Sequence, residues 1–252
     1  MSEPPTWVLL RGLTRESRHW GGFPQLLGQI VPAARVIALD LPGNGALHRE
    51  RSPTRVEAMA SHCREELRRR GVAPPYHVLA MSLGAMVATA WAVAAPDEIA
   101  AAVLINTSLR PFSPFHQRLR PANYRTLLRL LLTHASAPDW ERAVLAMTSR
   151  ASGRDDDALL RAWVAYRREC PVAPANALRQ LWAAARYQAP AQSPFARVLL
   201  LLGSANDALV DVRCSQRLAQ QWSCELRLHS WAGHDLPLDD APWVAAQLRE
   251  GV

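Results

Sequence analysis

Ser82 sits in Ala80-Met81-Ser82-Leu83-Gly84, after the apolar run Tyr76-His77-Val78-Leu79 and before a helix-forming stretch rich in small residues, 85–92. A serine on a sharp turn from strand to helix has its Oγ lifted above the sheet, provided its neighbours are small enough for the turn to close. Ala80 stands where glycine is commoner in such turns, and its methyl is small enough to be tolerated. A serine hydroxyl is a weak nucleophile at neutral pH, so it needs an adjacent base, and the base needs an orienting acid. Candidates for both lie downstream. Residues 197–203 form an apolar run stopped by Gly203, the pattern of a buried strand, and it empties into Ser204-Ala205-Asn206-Asp207. A second strand, about 225–230, empties into Trp231-Ala232-Gly233-His234-Asp235. Asp207 and His234 are thus expected on loops at the edge where open parallel sheets keep their sites. The chemistry such a set performs is attack of the serine on a carbonyl carbon.

Other residues compete for these roles. His77 and His229 fall within expected strands, where a packed, hydrogen-bonded ring is the usual role. His62 lies on a charged helix, His116 and His134 lie in an insertion, and His19 and His48 complete the set. Asp211 and Asp235 are alternatives to Asp207, but Asp211 is placed to open a helix and Asp235 adjoins its own base. Negative charge developing on the carbonyl oxygen needs two backbone N–H donors. Leu83, directly after the serine, is one candidate. Leu13, on the loop Arg11-Gly12-Leu13-Thr14 after the first strand, is the other, with Gly12 allowing close approach. Arg11, Met81 and Trp20 are the candidate pocket residues; for Arg11, a substrate carboxylate and a structural ion pair are equal expectations.

Five segments in order carry a family resemblance: Leu9-Leu10-Arg11-Gly12, Leu39-Asp40-Leu41-Pro42-Gly43-Asn44-Gly45, Met81-Ser82-Leu83-Gly84, Gly203-Ser204-Ala205-Asn206-Asp207 and Ala232-Gly233-His234-Asp235. Over nearly its whole length the chain resembles the α/β-hydrolase superfamily. The resemblance implies a Ser82–His234–Asp207 triad, an oxyanion hole from Leu83 and Leu13, no cofactor, and a carboxylic ester as substrate. Thioester hydrolysis, carbon–carbon bond hydrolysis and perhydrolysis on the same triad are the alternatives, followed by a non-catalytic ligand-binding protein of this fold. The first loop departs from the family, which usually has His-Gly where this chain has Arg11-Gly12. The arrangement is loosely similar to esterases acting on acyl carrier protein methyl esters, a resemblance that implies an anionic small molecule or an acidic carrier as partner.

The elements that must position these residues read as strands near 7–10, 35–39, 76–80, 101–106, 198–202 and 225–230, with helices near 20–30, 55–70, 83–94, 212–221 and 242–249. Alternation of this kind predicts an α/β fold with a doubly wound, mostly parallel sheet of about six strands. The two antiparallel strands that lead the larger family core are expected to be missing. Between 106 and 198 prolines break the chain into short segments, of which 124–133, 140–148, 158–168 and 176–187 have helical spacing. In the family a helical cap is inserted here, so the expected division is a core of residues 1–109 and 191–252 and a cap of 110–190.

The 252 residues suffice for one substantial core, and no apolar run is long enough to span a membrane. All 29 basic side chains are arginine, so chemistry on a lysine Schiff base is excluded. Four scattered cysteines without metal-like spacing and an N-terminus without a signal-like apolar segment lead to the expectation of a cytoplasmic protein. From Arg110 to Arg186 there are 13 arginines against six acids, whereas the remainder holds 16 of each, so the whole +7 excess belongs to the insertion. Either its helix faces are simply solvated, or they draw in an anionic partner, with Arg118, Arg120, Arg125 and Arg129 as the expected encounter surface. No recognition motif accompanies the charge, so nucleic acid is not expected.

Overall fold

A computed structural model describes residues 4–31, 33–133, 135–150 and 157–251. His134 and the acids Asp155 and Asp156 lie outside the described residues. Six segments form strands: β1 (Thr6–Leu10), β2 (Arg35–Leu39), β3 (Tyr76–Met81), β4 (Ile99–Ile105), β5 (Val198–Ser204) and β6 (Glu225–His229). They make one sheet in the order β2-β1-β3-β4-β5-β6, and every neighbouring pair is parallel. The chain runs outward from β1 to β2 and then back across to β3, so the winding reverses between β1 and β3. Loops leaving these two strands diverge at their C-terminal ends, and a crevice opens there.

Side chains alternate across the sheet with the two-residue period of a strand. Val8 and Leu10 of β1 join one core with Val78 of β3, while Trp7 and Leu9 join the other with Leu79. Helices α2 (Val56–Arg69), α3 (Leu83–Ala94) and α9 (Arg213–Trp222) cover the first face, and α1 (Phe23–Ile30) and α11 (Ala241–Gly251) the second. Helix α3 is buried from Leu83 to Ala92, which explains its run of small residues. The helix expected from residue 20 starts later. A 3-10 turn over Ser17–Trp20 stops at Gly21, whose φ of 55° is a conformation that breaks helices, and α1 opens beyond it with Pro24 in its first turn.

Between β4 and β5 the chain forms a helical cap: α4 (Phe115–Arg118), α5 (Tyr124–Leu132), α6 (Ala137–Thr148), α7 (Asp157–Glu169) and α8 (Pro174–Arg186). It leaves and re-enters at adjacent points, where Arg110 bridges Gln188 and Ala189 N–H donates to the Arg110 carbonyl at 2.8 Å. The remaining short helix α10 (Leu236–Asp239) follows the His234 loop. Among the described residues no helix is long and apolar enough to cross a membrane.

Candidate active site

Register brings the first residues of the site together. Leu10 pairs with Ala80 across β1 and β3, so Gly12 and Ser82, each two residues further on, face one another. A Cβ at Gly12 would lie 3.2 Å from Ser82 Cβ and 3.7 Å from its Oγ. Ser82 has φ 53° and ψ −115°, a backbone state that costs a non-glycine residue roughly 1–3 kcal/mol. The surroundings hold it there: its N–H donates to the Ile105 carbonyl at 3.0 Å, and its carbonyl accepts from Ala85 N at 3.1 Å. Gly84 is required because a Cβ would sit 2.5 Å from the Leu10 carbonyl oxygen. Ala80 is fully buried within β3, and its methyl is accommodated.

Asp207 and His234 meet as well. His234 Nδ1 lies 2.7 Å from Asp207 Oδ2, and both residues are buried. The other carboxylate oxygen of Asp207 accepts the backbone N–H of Leu209 at 2.8 Å and of Val210 at 2.9 Å, which fixes the plane of the carboxylate. Asn106, at the end of β4, anchors the histidine loop. Its Nδ2 donates to the His234 carbonyl at 2.8 Å and to Ser204 Oγ at 2.9 Å, and its Oδ1 accepts Ser204 N–H at 2.8 Å. Nothing in the sequence around Asn106 singles it out beyond its place at a strand end.

The competing acids are otherwise engaged. Asp235 forms a bidentate pair with Arg11, at 3.0 and 2.5 Å, and both are almost fully buried. Arg11 also lies over the Trp20 ring, 4.9 Å from its centroid. Of the two expectations for Arg11, the ion pair is the one found. Trp20, expected in the pocket, packs into the second core beneath Arg11 and is not part of the cavity wall. Asp211 pairs with Arg213; hydrogen bonds from Arg213, opposed by partial burial, hold its carboxyl down at about 2. His229, packed between Trp231 and Trp243, hydrogen-bonds to Asp240 and Ala232. His77 is half-buried with Nδ1 unpartnered, contrary to the hydrogen-bonded role expected of it.

Ser82 and His234 line one cavity of about 190 Å³ together with Arg11, Leu13, Met81 and Leu83. The cap supplies its roof, through Leu127 of α5, Val144 of α6 and Leu181 of α8. Phe115 and Leu178 also line it while remaining 53% and 51% exposed, so its mouth lies between α4 and α8. On the loop after β1, Arg15 N–H donates to the Gly12 carbonyl at 3.2 Å, closing a turn whose third residue, Thr14, has φ 58°. Thr14 N–H donates to Gln180 Oε1 of α8 at 2.9 Å. Gln180 Nε2 in turn reaches Asn44 Oδ1 at 2.8 Å and Ser52 Oγ at 3.0 Å. Gln180 is fully buried and was not legible as a site residue.

Charge within the cap is less superficial than composition implied. Arg15 of the core pairs with Glu141 of α6 at 2.6 Å and lies over Trp163, 4.2 Å from its centroid. Arg167 pairs with the same glutamate at 3.4 Å. Arg118, expected on the encounter surface, is buried; Arg125 and Arg129 are exposed. His19 packs against Trp163 and Tyr166, and burial, reinforced by Arg15 and Arg11, holds its pKa well below the ordinary histidine value.

The family model described as "Alpha/beta hydrolase family" matches residues 7–247. No curated protein matches the chain. Among solved structures, a hydrolase from Pseudomonas aeruginosa PA01 is similar with a TM-score of 0.78 at 19% identity, covering 100% of this chain and 92% of its own. A thermophilic esterase from Thermogutta terrifontis gives 0.76 at 20% identity, covering 98% and 88%. The 2-hydroxy-6-oxo-6-phenylhexa-2,4-dienoate hydrolase from Rhodococcus sp. strain RHA1 gives 0.74 at 18% identity, covering 98% and 90%. At these identities the likeness is one of fold.

Proposed function

The chain belongs to the alpha/beta hydrolase family, and we propose that it is a serine hydrolase cleaving a small carboxylic ester through an acyl-enzyme on Ser82. The observation that carries this reading is the 2.7 Å contact of His234 Nδ1 with Asp207, in a cavity that His234 shares with a serine on a strained strand-to-helix turn. With Nδ1 donating to the carboxylate, Nε2 is the ring atom available as a base. Ser82 Oγ attacks the carbonyl carbon while His234 Nε2 takes its proton. The tetrahedral oxyanion is held by the N–H groups of Leu83 and Leu13. Leu83 opens α3 and has no intrahelical acceptor; Leu13 precedes Thr14 on the turn anchored by Gln180. Collapse expels the alcohol, which leaves with the proton from His234, and water hydrolyses the acyl-enzyme by the same sequence.

Asp207 keeps the imidazole in the productive tautomer and stabilises its cation. The apolar roof suits a hydrocarbon acyl or alcohol group and limits water at the reacting carbon. In this reading residues 110–190 are the cap and the remainder is the catalytic core; the adjacent crossovers at Arg110 and Ala189 support that division. A fluorophosphonate should label the wild type and release of p-nitrophenol from short-chain esters should be measurable. Both should be lost in Ser82→Ala, with kcat lower by roughly 10⁴–10⁶-fold. Label retained in that variant would overturn the assignment.

A further inference from the structure

Three arginines line the cavity, and two have carboxylate partners: Arg11 with Asp235 and Arg15 with Glu141. Arg118 of α4 is different. It is only 8% exposed, and among the described residues no carboxylate lies within ion-pair distance of it. Its NH2 donates to the Ala184 carbonyl at 2.6 Å and its NH1 to the Ala185 carbonyl at 3.3 Å, in the last turn of α8. Its Nε is buried without a partner. Two of the five guanidinium N–H groups are thereby used, and three remain.

The α8 carbonyls explain part of this arrangement but do not neutralise it. A helix C-terminus carries roughly half a negative charge, against a full positive one. The nearest titratable groups offer no counter-ion. Arg110 is a like charge, and the Cys214 thiol is pushed up by burial and stays neutral. Burial, with Arg110 second, brings the Arg118 guanidinium down to about 10, which still leaves it charged at neutral pH. A buried cation without an anion is costly, and the cost is relieved when an anion arrives.

We infer that Arg118 receives a carboxylate of the substrate, so the ester cleaved at Ser82 carries a second, ionised carboxyl group. This rests on the hydrolase reading of the same cavity. The guanidinium fork suits a planar carboxylate, and the largely apolar walls suit a hydrocarbon spacer between it and the ester. The extra charge sits on either the acyl or the alcohol side. Monomethyl esters of linear dicarboxylic acids place it on the first, and acetyl esters of linear hydroxy acids on the second.

The test compares each series with its neutral dimethyl or methyl-ester counterparts in the wild type, Arg118→Met and Arg118→Lys. In the wild type one anionic series should show the higher kcat/KM. Charged hydrogen bonds of this kind set the expected loss of that preference in Arg118→Met at roughly ten- to a hundredfold, mostly through KM, with part retained in Arg118→Lys. A preference that is absent from both series, or that survives in Arg118→Met, overturns the inference. A purely structural Arg118 would lower Tm and leave the ratio of anionic to neutral substrates as it was. Calorimetric titration of a linear dicarboxylate into the wild type reads Arg118 without turnover: binding is expected, and its absence overturns the inference even if Arg118→Met fails to fold. Neutral-ester turnover lost in Ser82→Ala reports on the hydrolase reading separately.

Discussion

Gln180 of the cap accepts the backbone N–H of Thr14, 166 residues away in the chain, at 2.9 Å. One N–H of the turn beside Ser82 is thereby consumed by the cap, and the turn's orientation depends on a side chain outside the core.

Gln180→Leu should therefore act in two ways. Buried partners left without hydrogen bonds should cost about 1–3 kcal/mol of stability. A loosened Leu13 donor should also lower kcat, at most by the 10²–10³-fold that follows complete loss of one oxyanion donor. Denaturant melts and steady-state kinetics on one short-chain ester separate the effects. A lower Tm with unchanged kcat would confine Gln180 to holding the cap.

Asp207→Asn should reduce kcat on the order of 10⁴-fold, by favouring the wrong histidine tautomer, as in the serine-protease precedent. Asp235→Asn should instead show itself in stability. It strands the buried Arg11 guanidinium, a loss of about 3–5 kcal/mol by comparison with other broken buried pairs. If Asp235→Asn abolishes turnover at full stability while Asp207→Asn stays active, the two roles are exchanged.

His19 should make the fold acid-sensitive. Burial, with Arg15 and Arg11 next, lowers its folded pKa well below 6.5, whereas in the unfolded chain the ring has its ordinary value. Between those two values the unfolded state binds more protons, so stability is complete above about 6.5 and declines as pH falls toward the folded pKa. His19→Gln should flatten this part of the stability-versus-pH curve, as read by chemical denaturation at a series of pH values. An unchanged slope would assign the acid sensitivity elsewhere.

Arg125 and Arg129, both exposed on α5, should influence encounter rather than chemistry. Their field is screened over about 8 Å at 0.15 M salt. For an anionic ester kcat/KM should fall as salt rises, and the slope should shrink in Arg125→Gln/Arg129→Gln. Identical salt responses from anionic and neutral esters in the wild type would make these arginines a solvated surface.

What the sequence reveals is what local pattern encodes. Leu83–Ala94 is legible because its small residues follow a strand and a turn, and β5 because an apolar run ends in Gly203. Asp207 and His234 are legible as strand-end residues, and their contact follows from the parallel order of β5 and β6. Asn106 and Gln180 are not, because an amide in an ordinary context shows its importance only through partners distant in the chain. Arg118 lies buried rather than on the expected surface, and for a related reason the sequence does not show it: charge counting cannot tell a solvated arginine from one tucked against the last turn of another helix. Trp20, expected in the pocket, is a core residue instead, a difference that one-dimensional proximity to Arg11 cannot reveal.

The bridge between Arg110 and Gln188 makes the cap a cassette. Its two ends lie side by side, so the sheet would not have to change its spacing if a longer, shorter or different insertion were spliced between them. Arg118 and the apolar roof, to which we assign the choice of substrate, travel together inside that cassette, while Ser82, Asp207 and His234 stay outside it. A graft would have to bring along its own equivalents of Gln180 and Glu141, since the turn carrying Leu13 and the buried Arg15 are matched to them. New substrate preference and retained chemistry could then be inherited separately, which makes the cap boundary the natural place to recombine this protein with its relatives.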